Sequence, residues 1–357
     1  MDEQRVVLIT GVSGTWGGRL AQRLLAEPGF HVIGLDAEPP EDEIEGLDFV
    51  QADVRNPLLA ELLRSEGITI LAHMAFLEAA RHSEGAFDFN VMGTMKAVGA
   101  AAESGVRQVV WPSSTMVYGA HPDNSAFLKE NTTLRGSRSR AANRYRLEIE
   151  SFLNGFRRQA PEMALAVLRF ANVVGPTASS PMNQYLRQPV APVLLGFDPM
   201  MQLIHEEDVV EALAHAVLTG ADGVFNVAAD PPMPLTRILA LAGKLPLPVP
   251  HPLAYRTRLR RLSPFSPSYL RYRWIADVTA MREKLGFEPQ YGAVEAVEAV
   301  ATSQRIARYR PGSEAAAYDE ERLRATIERR RKQRASQTGS NGQAAISEQA
   351  EREADHE

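Results

Sequence analysis

Apolar residues in the first half of the chain gather into short runs that alternate with segments of helical spacing. Arg5–Thr10 (RVVLIT), His31–Asp36 (HVIGLD), Asp48–Asp53 (DFVQAD), Ile68–Met74 (ITILAHM) and Arg107–Ser114 (RQVVWPSS) read as buried strands. Leu20, Leu24 and Leu25 form an apolar stripe while Arg19, Gln22 and Arg23 point elsewhere, so a helix is expected between the first two strands. Phe87–Gly105 reads as another helix, closed by Gly105. Strands separated by helices call for parallel pairing, so the pattern predicts an α/β fold on a doubly wound parallel sheet.

The texture changes after Gly175, where proline and small residues become frequent. Gly243–Ala254 (GKLPLPVPHPLA) carries proline at alternate positions from Pro246 to Pro252, a spacing for extended chain. ALAVLRFANVVG (Ala164–Gly175) and GVFNVAAD (Gly223–Asp230) look like strands that return to the sheet. The expected organisation is a sheet core over 1–175, completed by segments around 200–230, and a smaller lobe over 176–311. A charged, largely disordered tail is expected over 312–357, with a solvated helix in DEERLRATIERRRKQR.

Composition narrows the class. At 357 residues, with 45% hydrophobic and 23% charged, the chain can bury a large core. A net charge of -5 argues against a nucleic acid partner. The absence of cysteine excludes disulfides, thiolate nucleophiles and Cys-ligated zinc. No basic leader precedes the first apolar run, and no run approaches the ~18 residues of a spanning helix, so no membrane segment and a cytoplasmic location are expected.

LITGVSGTWGGRLAQRLL sets Gly11, Gly14 and Gly17 between the first strand and the first helix. Glycines there let the chain turn sharply and let backbone approach a pyrophosphate, while the helix N-terminus offers free N–H groups. Asp36 ends the second strand. It can accept from the adenosine ribose hydroxyls and would repel a 2′-phosphate, so NAD is expected in preference to NADP. Asp53, in QADVRNP, either caps a strand end or faces the adenine amino group.

With these residues the chain resembles the extended short-chain dehydrogenase/reductases, and within them the NAD-dependent epimerase/dehydratase family that includes the UDP-glucose 4-epimerases. The likeness runs from Arg5 to about Pro289. It rests on TGVSGTWG, QADVRNP, LAHMAF, NVMGT, SSTMVYG, LRFANVVGP, LIHEEDVVEAL and ADVTAMREKLGFEP, in that order. The resemblance implies a Rossmann sheet with a C-terminal substrate lobe, bound NAD, a nucleotide-sugar substrate and, as a candidate assembly, a homodimer. It implies that Gly11, Gly14, Thr15, Trp16 and Gly17 wrap the pyrophosphate. Asp36 would hold ribose, and Asp53 and Val54 would lie at adenine. Met74, Ala75 and Phe76 would line the cofactor, with Asn90 fixing nearby backbone. Ser114 would be the catalytic hydroxyl, and Asn172 would face substrate. Apart from the resemblance, Met74, Phe76 and Asn90 read as core or capping residues.

The family's chemistry uses a tyrosine, with a lysine four residues on. A phenol of pKa about 10 is a poor base at neutral pH, and the lysine's charge lowers it. Here the stretch is RAANRYRLEIE (Arg140–Glu150). A glutamate normally follows the lysine. If that is Glu148, Arg140 and Arg144 stand at the Tyr and Lys positions; if Glu150, Ala142 and Arg146 do. The first register gives the candidate catalytic set Ser114, Arg140 and Arg144. Neither register supplies a phenol, and Tyr145 sits about 100° round the helix from Arg144 or Arg146. Arginine can clamp ribose but cannot act as a base near pH 7. A base would have to be found elsewhere, in Ser114 through water or in His73, His82 or His121.

The family's diphosphate-gripping arginine is missing before LIHEED, where Gln202 stands; Arg271 or Arg273 are later sources of charge. His205–Asp208 (HEED) reads as a helix start with Asp208 as the N-cap rather than a metal site. Two functions follow: an NAD-dependent epimerase or dehydratase of a nucleotide-linked sugar, or a catalytically silent NAD-binding protein used for recognition.

Overall fold

The computed structural model describes residues 5–79, 81–254, 263–308, 323–324 and 326–327. Its chain divides into two compact units, Met1–Ala301 and Thr302–Glu357. In the second, the helix that begins at Ala293 ends at Arg308, and Leu323, Arg324, Thr326 and Ile327 are helical. The rest of the expected charged tail lies outside the described residues.

The first unit starts with β1 (Arg5–Thr10), α1 (Thr15–Leu25), β2 (Phe30–Asp36), β3 (Asp48–Gln51), α2 (Leu59–Ser65) and β4 (Ile70–His73). Next come α3 (Glu84–Phe87), a π-helical turn (Asp88–Met92), α4 (Gly93–Glu103), β5 (Gln108–Ser114), α5 (Ala141–Phe156) and β6 (Ala164–Phe170). The one helix expected over Phe87–Gly105 is thus interrupted by a π turn, which carries Asn90. The remainder holds β7 (Asn172–Val174), α6 (Pro181–Arg187), β8 (Val190–Leu194), β9 (Met200–Met201), β10 (Leu203–His205), α7 (Glu206–Thr219) and β11 (Gly223–Val227). It closes with β12 (Met233–Pro234), α8 (Leu235–Leu241), β13 (Leu245–Val249), α9 (His251–Ala254) and α10 (Ala293–Arg308).

Seven strands form one parallel sheet in the order β11-β6-β5-β4-β1-β2-β3. Alternation along each strand feeds two cores. Val7 and Ile9 of β1 pack with Leu20 and Leu24 of α1 and Leu213 of α7. Leu8, between them, faces the opposite layer with Val98 of α4 and Ile149 of α5. A third cluster, around Tyr185, Met201, Leu239 and Trp274, is the core of the smaller lobe. There β13 pairs only with β8. Leu245 N–H donates to Pro189 O and Val249 O accepts from Leu195 N–H, so the residues at odd positions face the partner. Pro246 and Pro248 then put their missing donors on the unpaired edge, where an edge strand tolerates them. Among the described residues no helix is long and apolar enough to cross a membrane.

One buried ion pair ties α5 to the sheet. Arg169 on β6 sends Nε to both Glu150 oxygens at 3.1 and 3.0 Å, and Ser113 Oγ donates to the same carboxylate. Arg169 Nη1 also donates to Tyr118 Oη (2.7 Å), which donates to Asn226 Oδ1 (2.7 Å). Removing one partner of such a pair leaves an uncompensated buried charge, which costs about 3–5 kcal/mol. Glu150→Ala is therefore expected to lower unfolding free energy by that amount in urea titrations. A loss under about 1 kcal/mol would show that water reaches Arg169 freely.

Candidate active site

The sheet order reverses beside β1, with β2 on one side and β4 on the other, and this switch point is where doubly wound sheets open a crevice at their carboxyl ends. The β1–α1 loop lies there. Gly11 has φ 72°, and a Cβ on it would fall 2.6 Å from the Ala75 backbone. A Cβ on Gly17 would fall 2.1 Å from Gly11 O. Only glycine lets β1, β4 and α1 close to this distance. Helix α1 begins at Thr15 with Gly14 as N-cap and no side-chain hydrogen bond to its first N–H groups. These amides are left for an anion, and the cradle fits a dinucleotide pyrophosphate. Trp16 follows on the cleft wall.

Asp36, at the end of β2, accepts from the backbone N–H of Ser13 (3.1 Å) and of Ala37 (2.7 Å). That holds its carboxylate against the glycine loop, where a ribose diol would meet it. Asp53 is gripped by Arg55 at 2.9 and 2.6 Å, and Arg55 also reaches Asp88 at 2.6 Å. The hydrogen bond from Arg55 holds the Asp53 carboxyl below its usual range. Val54 is buried beside it.

Below the loop a cleft of about 160 Å³ is lined by Trp16, Met74, Phe76, Ser114, Arg146 and Asn172, among others. The notable member is Arg146. Its guanidinium lies 4.4 Å from the Phe76 ring centroid and pairs with Glu78. Arg140 and Arg144 do not line the cleft. Arg140, of the first register, is the N-cap of α5, with extended backbone (φ −98°, ψ 128°), so it precedes the helix. Glu150, four residues after Arg146, is the buried partner of Arg169. In the second register Ala142 stands where the phenol would be.

Asn172 is buried and donates to Gln202 O (2.9 Å). Gln202 itself is bound to Ala276 N–H and C=O at 2.8 and 2.9 Å, a structural role. Arg271 bonds His251 (2.8 Å) in the lobe, and Arg273 is exposed. Asn90 accepts from Leu77 N–H (2.7 Å) and donates to Leu77 O (3.0 Å), clamping the chain after β4. The N-cap of α7 is His205, not Asp208: the helix starts one turn earlier than its sequence suggests. Asp208, buried in the first turn, instead accepts from Gln290 and Tyr291 N–H. Among the described residues no cluster of His, Asp or Glu could hold a metal.

Several candidate bases are spoken for. His73 is buried, with Nδ1 2.7 Å from Thr10 Oγ1 and Nε2 3.0 Å from Thr94 Oγ1. Burial pushes its pKa down to about 4. His82 bonds Tyr145 Oη (2.9 Å), and Tyr145 is wholly buried among Phe87 and Ile149. His121 bonds Arg135 O (2.9 Å). Burial pushes the Tyr118 phenol up to about 12. Glu78 belongs to no motif, and only the fold brings it to the cleft.

The sequence model of the NAD-dependent epimerase/dehydratase family matches residues 7–228. The chain belongs to this family. An uncharacterized protein of Mycobacterium tuberculosis is 34% identical to it over 310 residues, 82% of each chain. Among solved structures, UDP-glucose 4-epimerase of Thermotoga maritima, with UDP-glucose, is similar at a TM-score of 0.66 and 19% identity, over 85% of this chain and 99% of that one. UDP-glucuronic acid 4-epimerase of Bacillus cereus, in complex with UDP-glucuronic acid and NAD, reaches 0.67 at 17% identity, over 85% and 99%. The dTDP-glucose 4,6-dehydratase of Streptomyces venezuelae, with NAD, reaches 0.65 at 21%, over 85% and 98%. At these identities the structures speak for the fold.

The neutral His73 sets a pH dependence. Its folded pKa lies below the unfolded value of 6.5, so its contribution is complete above pH 6.5 and is lost as pH falls toward 4. The difference corresponds to on the order of 3 kcal/mol. Urea midpoints should fall between pH 7 and 4, and less so in His73→Gln; equal falls in both would contradict the assignment.

Proposed function

We propose that this chain binds NAD and a nucleotide-linked sugar in the cleft and carries out an NAD-dependent oxidoreduction of that sugar, as in epimerisation or dehydration. The observation that carries this reading is the convergence of Arg146 and Ser114 on one cleft below the glycine cradle. NAD, when bound, supplies reversible oxidation of a secondary alcohol. Family membership supports that chemistry, and so do neighbours that bind UDP-glucose, UDP-glucuronic acid and NAD.

The residues divide the work. Gly11, Gly14, Thr15 and Gly17 receive the pyrophosphate, and Asp36 holds the adenosine ribose. Asp53 and Val54 border adenine; Met74, Ala75 and Phe76 line the nicotinamide end. Arg146 takes over the lysine's task of clamping the adjacent ribose, for which a planar fork of donors is suited. Ser114 hydrogen-bonds the substrate hydroxyl, and Asn172 faces the sugar. The catalytic set is accordingly Ser114 and Arg146. The lobe beyond Gly175 holds the nucleotide. A cytoplasmic location and a homodimer belong to the same reading.

Asp36 makes the cofactor choice testable. Calorimetry should give tighter binding of NAD than of NADP, and Asp36→Ala should narrow the gap by about tenfold, the value of one charge contact near 1.4 kcal/mol. Equal affinities in the parent would overturn the cofactor assignment.

A further inference from the structure

The reading above leaves the substrate's hydroxyl proton without an acceptor. Among the described residues that line the cleft, Glu78 and Arg146 are the only ionisable side chains. Arginine stays charged and accepts nothing. Ser114, uncharged, would itself need a base. Glu78 carries a carboxyl group, the one side chain among them whose oxygens can take up a proton.

Its placement is built. Asn90 grips Leu77 on one side of Glu78. On the other, Ala79 O accepts from the N–H of Ala142 at 3.0 Å, and Ala79 N–H turns back to Leu77 O at 2.8 Å. Glu78 thus sits at the apex of a tight three-residue turn. That turn is docked on the residue from which the family's phenol would project. Where position 142 has lost its ring, the segment bonded to it presents a carboxylate. The guanidinium of Arg146 meets this carboxylate, so a proton acceptor and a neighbouring cation stand side by side, as in a Tyr/Lys pair. The Glu78 side chain is 60% exposed and that of Arg146 16%, so the acceptor is the member free to move toward substrate. An ion pair so exposed is weak, and a bound ligand can replace it.

We propose that Glu78 is the general base of this site, in place of the missing tyrosine. This rests on the cleft being the site of sugar oxidation by NAD. The balance is simple. The hydroxyl proton passes to the Glu78 carboxylate, and the C–O single bond becomes C=O. The carbinol hydrogen leaves with its electron pair to the oxidised nicotinamide, which is reduced. In the return half-reaction Glu78 gives the proton back. Arg146 positions this carboxyl group by pairing with it, and holds ribose.

The test uses the full chain with NAD and, in turn, UDP-glucose, UDP-galactose, UDP-glucuronic acid and dTDP-glucose. Sugar turnover is followed by product analysis and by absorbance of reduced NAD, and NAD affinity by calorimetry. Glu78→Gln should lower kcat by ~10²–10⁴ while the NAD dissociation constant changes by less than about threefold, and Glu78→Asp should keep part of the rate. Arg146→Ala should weaken NAD binding. If Glu78→Gln turns over like the parent, the base is elsewhere and the proposal falls while the cleft reading stands. If both Glu78 variants lose NAD affinity along with rate, Glu78 merely anchors Arg146, and the proposal falls. A parent that binds NAD and converts none of the four sugars overturns the oxidation reading and this proposal with it.

Discussion

The cleft depends on how α5 is seated, and one buried carboxylate seats it. Glu150 reaches Arg169 on β6 and Ser113 on β5, so a single side chain fixes both the rotation and the height of the helix against two strands. Arg146 stands one turn earlier on α5, at Phe76 and Glu78. Ala142 stands one turn earlier again, bonded to Ala79. A buried ion pair is a poor source of net stability compared with apolar packing, but it tolerates little misplacement. Here its use is register. It decides which of Arg140, Arg144 and Arg146 lines the cleft.

The other fixed point is the approach of Gly11 and Gly17 at the sheet's switch point. Together the two constraints hold opposite walls of one crevice: amides from α1 for an anion, and a guanidinium with a hydroxyl from α5 and β5. The histidines that the sequence offers as bases are drawn elsewhere. His73 ties β4 to Thr10 and Thr94, His82 bonds the Tyr145 hydroxyl and His121 the Arg135 carbonyl. They serve the scaffold, which leaves the chemistry to few groups.

Much of this was legible before the structure. The strands showed in runs such as RVVLIT, because a strand buried on both faces leaves a continuous apolar signature. The glycine loop and Asp36 showed because their spacing reflects backbone geometry. The register of α5 did not. Glu148 and Glu150 are equivalent in sequence, and only the distant Arg169 distinguishes them. The cap of α7 departs from its sequence pattern for a related reason: Asp208 is the better capping type, yet Gln290 and Tyr291, far along the chain, claim its oxygens. Glu78 was invisible, since its place depends on Asn90 and Ala142 closing a turn around it.

The central claim is that Arg146 stands at the nicotinamide end of a bound dinucleotide, with no phenol beside it. A crystal structure of the complex with NAD and UDP tests it most directly. The account predicts the pyrophosphate on the N-terminal amides of α1, the adenosine ribose on Asp36, and the Arg146 guanidinium on the other ribose, with the nicotinamide facing Ser114. Density that places the nicotinamide away from Ser114, or Arg140 or Arg144 on the ribose in place of Arg146, would contradict it.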